Sequence, residues 1–301
     1  MQIHDGKTIA VDVGGTQVET FYFQAGEPAR GDLLLMHTGG AGASALMCWY
    51  LNFDALVAAG YRVTAPDAPG FGRSVVASDG NVKATDFVPA FMDALGITQA
   101  HMAGNSMGGV TLSHVAAAHP GRVLSLTLSG GEPRVVTDAV VAIGSLGATP
   151  RNNFVREMFG KPQLALADLR HATADFVFDR DLPALDAVTQ IRFDTLSEAG
   201  AYERAKEGAM GQVARRGSGA DLSAADYLAD IQAPTFLLHG RDEPWFYPDE
   251  HRAALTDAAM KAAMVIPNCT ATFLPHCGHW PQLEHPERYN ALLLEFLASV
   301  S

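Results

Sequence analysis

The sequence predicts an α/β fold, a mostly parallel sheet flanked by helices and interrupted by a helical insertion. Three observations carry this. Short runs that are apolar almost throughout, the pattern of strands buried on both faces, alternate with helical stretches. That alternation stops near Gly131-Glu132-Pro133 and resumes at Pro234. Hydrophobic residues make up 48% of the 301-residue chain against 18% charged, which is enough apolar material for a large packed core.

The elements follow in order. Thr8–Val13 and Gln17–Phe23 are β-prone and flank Gly14-Gly15, which reads as a hairpin. Asp32–Met36 is a buried-strand run ending at His37-Thr38-Gly39-Gly40. A helix over Trp49–Ala59 leads through Gly60 into a strand over Tyr61–Ala65, and Pro66 to Gly72 breaks the chain into a loop. A helix over Asp86–Leu95, a strand over Ala100–Ala103, a helix over Gly108–His119 and a strand over Val123–Leu128 complete the first part of the core. Helical periodicity then dominates, with candidates at Arg151–Phe159, Leu164–Phe178, Leu185–Ser197 and Ala199–Ala214 and a loop over Arg215–Gly219. Strands over Pro234–Gly240 and Ala271–Leu274 and a helix over Pro286–Val300 restore the core. The expected organisation is core over 1–132, helical cap over 133–229, core over 230–301.

Charge narrows the partners. Lys plus Arg number 21 and Asp plus Glu 33, for a net charge of −12. A nucleic-acid surface or an anionic-membrane surface needs the opposite balance, so neither is expected, and a small molecule is. Three cysteines without regular spacing read as free thiols in a reducing cytoplasm. The start of the chain lacks a basic segment followed by an apolar run, and no apolar stretch is long enough to span a bilayer. No metal-ligand cluster and no dinucleotide fingerprint is visible, so no metal or other cofactor is expected. The oligomeric state stays open, a homo-oligomer included.

Chemistry concentrates in four places. Gly104-Asn105-Ser106-Met107-Gly108 lies between a predicted strand and a predicted helix. A serine on such a turn stands above the sheet, and the helix N-terminus aims N–H groups at developing negative charge. Ser106 is therefore the expected nucleophile, and a hydroxyl needs a base. His279 follows the final strand behind Gly278, with His276 as its nearest rival. An acid must orient the imidazole; Asp242, directly after a buried strand, is the expected residue, with the adjacent Glu243 as competitor. The glycine-rich turn after Met36 offers backbone N–H groups, and Gly39 with Met107 is the natural oxyanion pair.

These motifs, in the order Ser106, Asp242, His279, resemble the α/β-hydrolase superfamily. The resemblance rests on His37–Gly42, Gly70–Ser74, Gly104–Gly109, His239–Asp242 and Gly278–Glu284, and it implies the α/β-hydrolase fold with the insertion as its cap. Within the superfamily the chain is most similar to the meta-cleavage-product hydrolases, which cleave a carbon–carbon bond in vinylogous 1,5-diketones from aromatic degradation. The resemblance implies substrate contacts from Gly40, Cys48, Asn105, Arg192 and Trp280, with Arg192 holding a carboxylate. Thr38 and Ala41 replace a glycine and a proline of that family, and Cys48 stands where it has an asparagine. A thiol does not offer an amide's paired donor and acceptor. That departure makes a carboxylic ester the leading expected substrate. A diketone is the alternative, and a ligand receptor retaining the triad is a second one.

Overall fold

The computed structural model describes residues 6–77, 82–130, 159–161, 164–207, 226–243 and 252–300. Its centre is one sheet. Strands β1 (Lys7–Val13) and β2 (Thr16–Ala25) form the expected antiparallel hairpin, with Val13 opposite Thr16. β3 (Asp32–Met36), β4 (Arg62–Pro66), β6 (Ala100–Asn105), β7 (Val123–Ser129), β8 (Thr235–Gly240) and β9 (Cys269–Leu274) continue it, and the two-residue β5 (Val75–Val76) pairs with β2. The order is β1-β2-β4-β3-β6-β7-β8-β9, parallel from β4 to β9.

β3 and β6 are neighbours although β4 separates them in sequence, because the chain first winds outward from β3 and then returns to its other side. At such a reversal the loops leaving adjacent strands part to opposite faces and open a crevice at the strands' C-terminal ends.

Side-chain alternation explains why the strand runs are apolar. Leu34 and Met36 join a cluster with Phe87, Phe91, Leu112 and Val115, whereas Leu33 and Leu35 join one with Trp49, Phe53, Tyr289 and Leu293. Helices α3 (Ala84–Ala94) and α4 (Met107–Ala118) thus cover one face. Helices α1 (Ala45–Trp49), α2 (Phe53–Ala58) and α9 (Pro286–Ser299) cover the other. Each strand residue meets a hydrophobic layer whichever way it points.

The single helix expected over Trp49–Ala59 is two helices. Between them the Asn52 amide donates to Gln282 O (3.1 Å) and Asn290 Oδ1 (2.9 Å), contacts 230 or more residues away that periodicity does not register. Helix α7 (Arg252–Val265) and the short α8 (Pro281–Glu284) carried no expectation. In the insertion, α5 (Leu166–Ala174) and α6 (Ala184–Ser197) match two candidates in shortened or shifted form. Nearly all of Arg151–Phe159, the end of Ala199–Ala214 and the loop Arg215–Gly219 lie outside the described residues. Among the described residues no helix is long and apolar enough to cross a membrane.

Helix α4 crosses β3 so closely that a Cβ on Gly108 would stand 2.4 Å from Met36 O. Gly108→Ala is therefore expected to lower unfolding stability by about 3 kcal/mol, the upper end for overpacking, read as a reduced urea midpoint at constant slope.

Candidate active site

Ser106 sits at the junction of β6 and α4 with φ 54° and ψ −118°, in the left-handed half of the map where a side chain costs energy. Its N–H donates to Ser129 O (2.8 Å) and its carbonyl accepts from Val110 N (3.0 Å), so neighbouring strand and helix both hold the strained turn. The turn raises the hydroxyl to the C-terminal edge of the sheet, half-buried and reachable.

His279 is brought to it from the loop after β9. Its Nε2 lies 2.9 Å from Ser106 Oγ, and its Nδ1 is bonded to Glu243 Oε1. A carboxylate can only accept, so Nδ1 carries the proton and Nε2 is left to receive one from the serine. The imidazole and the Glu243 carboxylate are buried, which strengthens their pairing. This closeness has a backbone requirement: a Cβ on Gly240 would lie 1.8 Å from Gly278 O, so the end of β8 meets the histidine loop without room for a side chain.

The carboxylate that pairs with His279 is thus that of Glu243, which corrects the expectation of Asp242. Asp242 is half-buried and its Oδ2 accepts from His276 N (2.7 Å) and Arg241 Nη2 (3.4 Å). Its N–H donates to Cys277 O (2.9 Å). The turn after β8 leaves residue 242 half-buried and turns residue 243 inward to the imidazole. The rival His276, at φ 52°, is exposed, with its ring against Phe178 rather than Ser106.

The turn after β3 faces the serine. A Cβ on Gly39 would stand 3.3 Å from Met107 Cβ, so these two backbone positions adjoin. Met107 opens α4, and the first N–H groups of a helix have no acceptor within it. Gly40, at φ 104°, has nothing within 4 Å of where a side chain would begin. His37 anchors the turn. Ala68 N–H donates to its Nε2 (2.8 Å), so Nδ1 carries the proton and donates to Thr38 O (2.6 Å). Burial pulls its pKa down to about 4, against the pull of the Thr38 bond, and keeps the ring neutral.

The remaining expected residues divide. Arg192, on α6, is buried; its Nε donates to Ala41 O (2.9 Å) and its Nη1 to Thr173 Oγ1 (2.7 Å). Both acceptors are neutral, no carboxylate among the described residues pairs with it, and burial lowers its pKa to about 10. The Asn105 amide nitrogen faces His279 O and Ser129 O, both at 3.2 Å, so this side chain ties the base's loop to the sheet. Trp280 is buried and stacks on Phe176 at 4.7 Å. Cys48 packs in the core cluster with its Sγ accepting from Gln282 Nε2 (3.4 Å). Burial pushes the thiol up to about 12, against the Thr38 backbone and the Gln282 amide.

Two carboxyls that the motifs did not single out brace the site. Asp67 accepts from Ala45 N (2.7 Å) and Arg73 N (2.9 Å), fixing the start of α1 and the loop after β4. Glu284, at the end of α8, accepts from backbone N–H groups of the histidine loop. A place in the Pro- and Gly-rich loop 66–72, as Asp67 has, or shortly after His279 is the only sequence signal for them.

Two measurements check this geometry. Glu243→Gln is expected to slow labelling of Ser106 by a fluorophosphonate by roughly 10³–10⁴, because an uncharged amide can present its NH₂ to Nδ1 and no longer fixes the imidazole's tautomer, while Asp242→Asn stays within about tenfold of the parent. Burial raises Asp67 to about 6, against bonds from Arg73 and Ala45, and raises Glu284 to about 7, against bonds from Phe178, Gly278 and Trp280. Both stand above their ordinary values, so the folded chain binds more protons than the unfolded one. Their contribution to stability is full below about pH 4 and is lost as pH rises to about 7, by about 3 kcal/mol for each group. Urea midpoints across that window, compared with those of Asp67→Asn, read the slope.

Comparison with known proteins gives the same frame. The family described as the alpha/beta hydrolase fold matches residues 32–286. A 2-hydroxy-6-oxo-6-phenylhexa-2,4-dienoate hydrolase of Burkholderia cepacia is 31% identical over 300 residues, covering 96% of each chain. A 2-hydroxy-6-oxononadienedioate/2-hydroxy-6-oxononatrienedioate hydrolase of Comamonas testosteroni is also 31% identical, again over 96% of both. The solved structure of a meta-cleavage product hydrolase from Pseudomonas fluorescens IP01 superposes with a TM-score of 0.77 at 25% identity, over 97% of this chain and 98% of that one. With the family matching across the core and relatives matching nearly end to end, the chain belongs to the α/β-hydrolase family, on its meta-cleavage-product branch, and is a serine hydrolase of that fold.

Proposed function

We propose that the enzyme hydrolyses the carbon–carbon bond of a 2-hydroxy-6-oxo-dienoate, with Ser106 as nucleophile, His279 as base and Glu243 as the acid that orients it. The ester, first in the reading of the sequence, gives way to the diketone, because full-length relatives carry that activity in their names. The observation that carries the proposal is Arg192. A buried guanidinium with only neutral acceptors among the described residues, bonded to the carbonyl of Ala41 beside the oxyanion turn, suits a substrate that brings its own carboxylate. Cys48 does not weigh against it, because its thiol is already engaged by Gln282.

The chemistry follows from the substrate. In the dienol the bond next to the C6 ketone cannot break easily, since its electron pair would be left on a vinylic carbon. Moving the proton of the 2-hydroxyl to C5 gives a 2,6-diketone. The pair released on cleavage is then delocalised through C3 and C4 onto the C2 oxygen. His279 takes the Ser106 proton, Oγ adds to C6, and the Gly39 and Met107 N–H groups stabilise the oxyanion. The C5–C6 bond breaks, its electron pair passes to the dienolate, and the imidazolium protonates that fragment. That fragment leaves as a 2-hydroxy-2,4-dienoate, and water, deprotonated by His279, then hydrolyses the acyl-enzyme to a carboxylic acid and frees Ser106. Residues 133–229 act as the cap in this reading, with α6 delivering Arg192 from above the oxyanion turn.

The test follows bleaching of the yellow 2-hydroxy-6-oxo-6-phenylhexa-2,4-dienoate beside p-nitrophenyl esters of graded length. Dienoate turnover with benzoate release is expected, and Arg192→Met is expected to raise KM for the dienoate about ten- to a hundredfold while leaving KM for the neutral esters near the parent's. Efficient ester hydrolysis with an unbleached dienoate would return the ester to first place.

A further inference from the structure

We propose that Glu284 is a positioning residue that registers the segment Phe176–Phe178, between α5 and α6, on the loop carrying His279, so that seating of the helical insertion and alignment of the base form one structural event. The proposal rests on Ser106 and His279 acting as nucleophile and base, and not on which bond they cleave.

The Glu284 carboxylate is 9% exposed and no cation pairs with it among the described residues. Backbone donors satisfy it instead. Oε1 accepts from Gly278 N (2.9 Å) and Trp280 N (3.3 Å), and Oε2 from Gly278 N (3.0 Å) and Phe178 N (2.8 Å). Gly278 and Trp280 are the residues on either side of the base. The remaining link runs the opposite way, with His279's own N–H donating to Phe176 O (2.8 Å). Phe176 then stacks on Trp280 at 4.7 Å and reaches the imidazole at 5.5 Å. The histidine loop and the strap from the insertion therefore share one carboxylate and one reciprocal bond.

A buried carboxylate without a cation is tolerable only while those N–H groups stay aimed at it. If the strap lifts, Phe178 leaves, the carboxylate loses a donor, and Gly278 and Trp280 are freed to turn the imidazole away from Ser106 Oγ. The hydroxyl and imidazole stand 2.9 Å apart, and a displacement of the order of an ångström in such a pair costs about a hundredfold in rate. Glutamine has the same shape but presents an NH₂ where one oxygen accepts, and so sets donor against donor.

The test measures the rate constant and the final extent of Ser106 labelling by a fluorophosphonate in the parent, Glu284→Gln and Ser106→Ala. Complete labelling of Glu284→Gln with a rate constant about ten- to a hundredfold below the parent is expected. A reduced extent with an unchanged rate constant would mean that Glu284 serves folding alone and would overturn the proposal, as would an unchanged rate and extent. Labelling of Ser106→Ala at the parent's rate would instead overturn the reading on which the proposal rests, so the two failures are separate. Should Glu284→Gln not fold, amide hydrogen exchange on the parent decides. Phe178, Gly278 and Trp280 are expected to exchange through a common opening. Exchange at Phe178 about a hundredfold faster than at Gly278 would show strap and loop moving independently.

Discussion

The close approach of backbone to backbone at the C-terminal edge of the sheet is the constraint on which the site depends. Helix α4 presses on the carbonyl of Met36 with only Gly108 between them, and the end of β8 presses on the histidine loop with only Gly240 between. These contacts bring four loops from separate crossings within reach of one hydroxyl. They leave Ser106 in a conformation it would not adopt alone, and that strain is sustained by the strand and helix bonded to its amide and carbonyl.

Electrostatics then works within that tight frame. The imidazole and Glu243 are buried together, while His37, held between two backbone bonds, is kept neutral by its burial. Arg192 is a desolvated cation with neutral partners, and Glu284 a desolvated acid among amides. The site holds charges of both signs apart from each other. A pair of them in contact would cancel; apart, each is held by neutral groups of the fold.

Much of this was legible in the chain. Runs such as Asp32–Met36 and Pro234–Gly240 read as strands because both faces are buried, and Ser106 and His279 read as reactive because strand ends and glycines surround them. What escaped had a specific cause. Asp242 and Glu243 are equivalent as a motif, and only the rotation of one turn separates them. Asn105 reads as a substrate contact by its place beside the serine, yet its amide is spent on His279 O. The break at Asn52 and the grip of Glu284 come from partners distant in sequence or in another layer, which no local pattern encodes.

The strand order carries a consequence for biosynthesis. Gly39 and Ser106 follow β3 and β6, before the insertion; Glu243 and His279 follow β8 and β9, after it. A ribosome that has completed the first half has made Ser106 without the imidazole that hydrogen-bonds to it. The hydrogen bonds joining Ser106, His279 and Glu243 therefore form only once the last two strands have docked, so this cluster is among the last parts of the chain to be assembled.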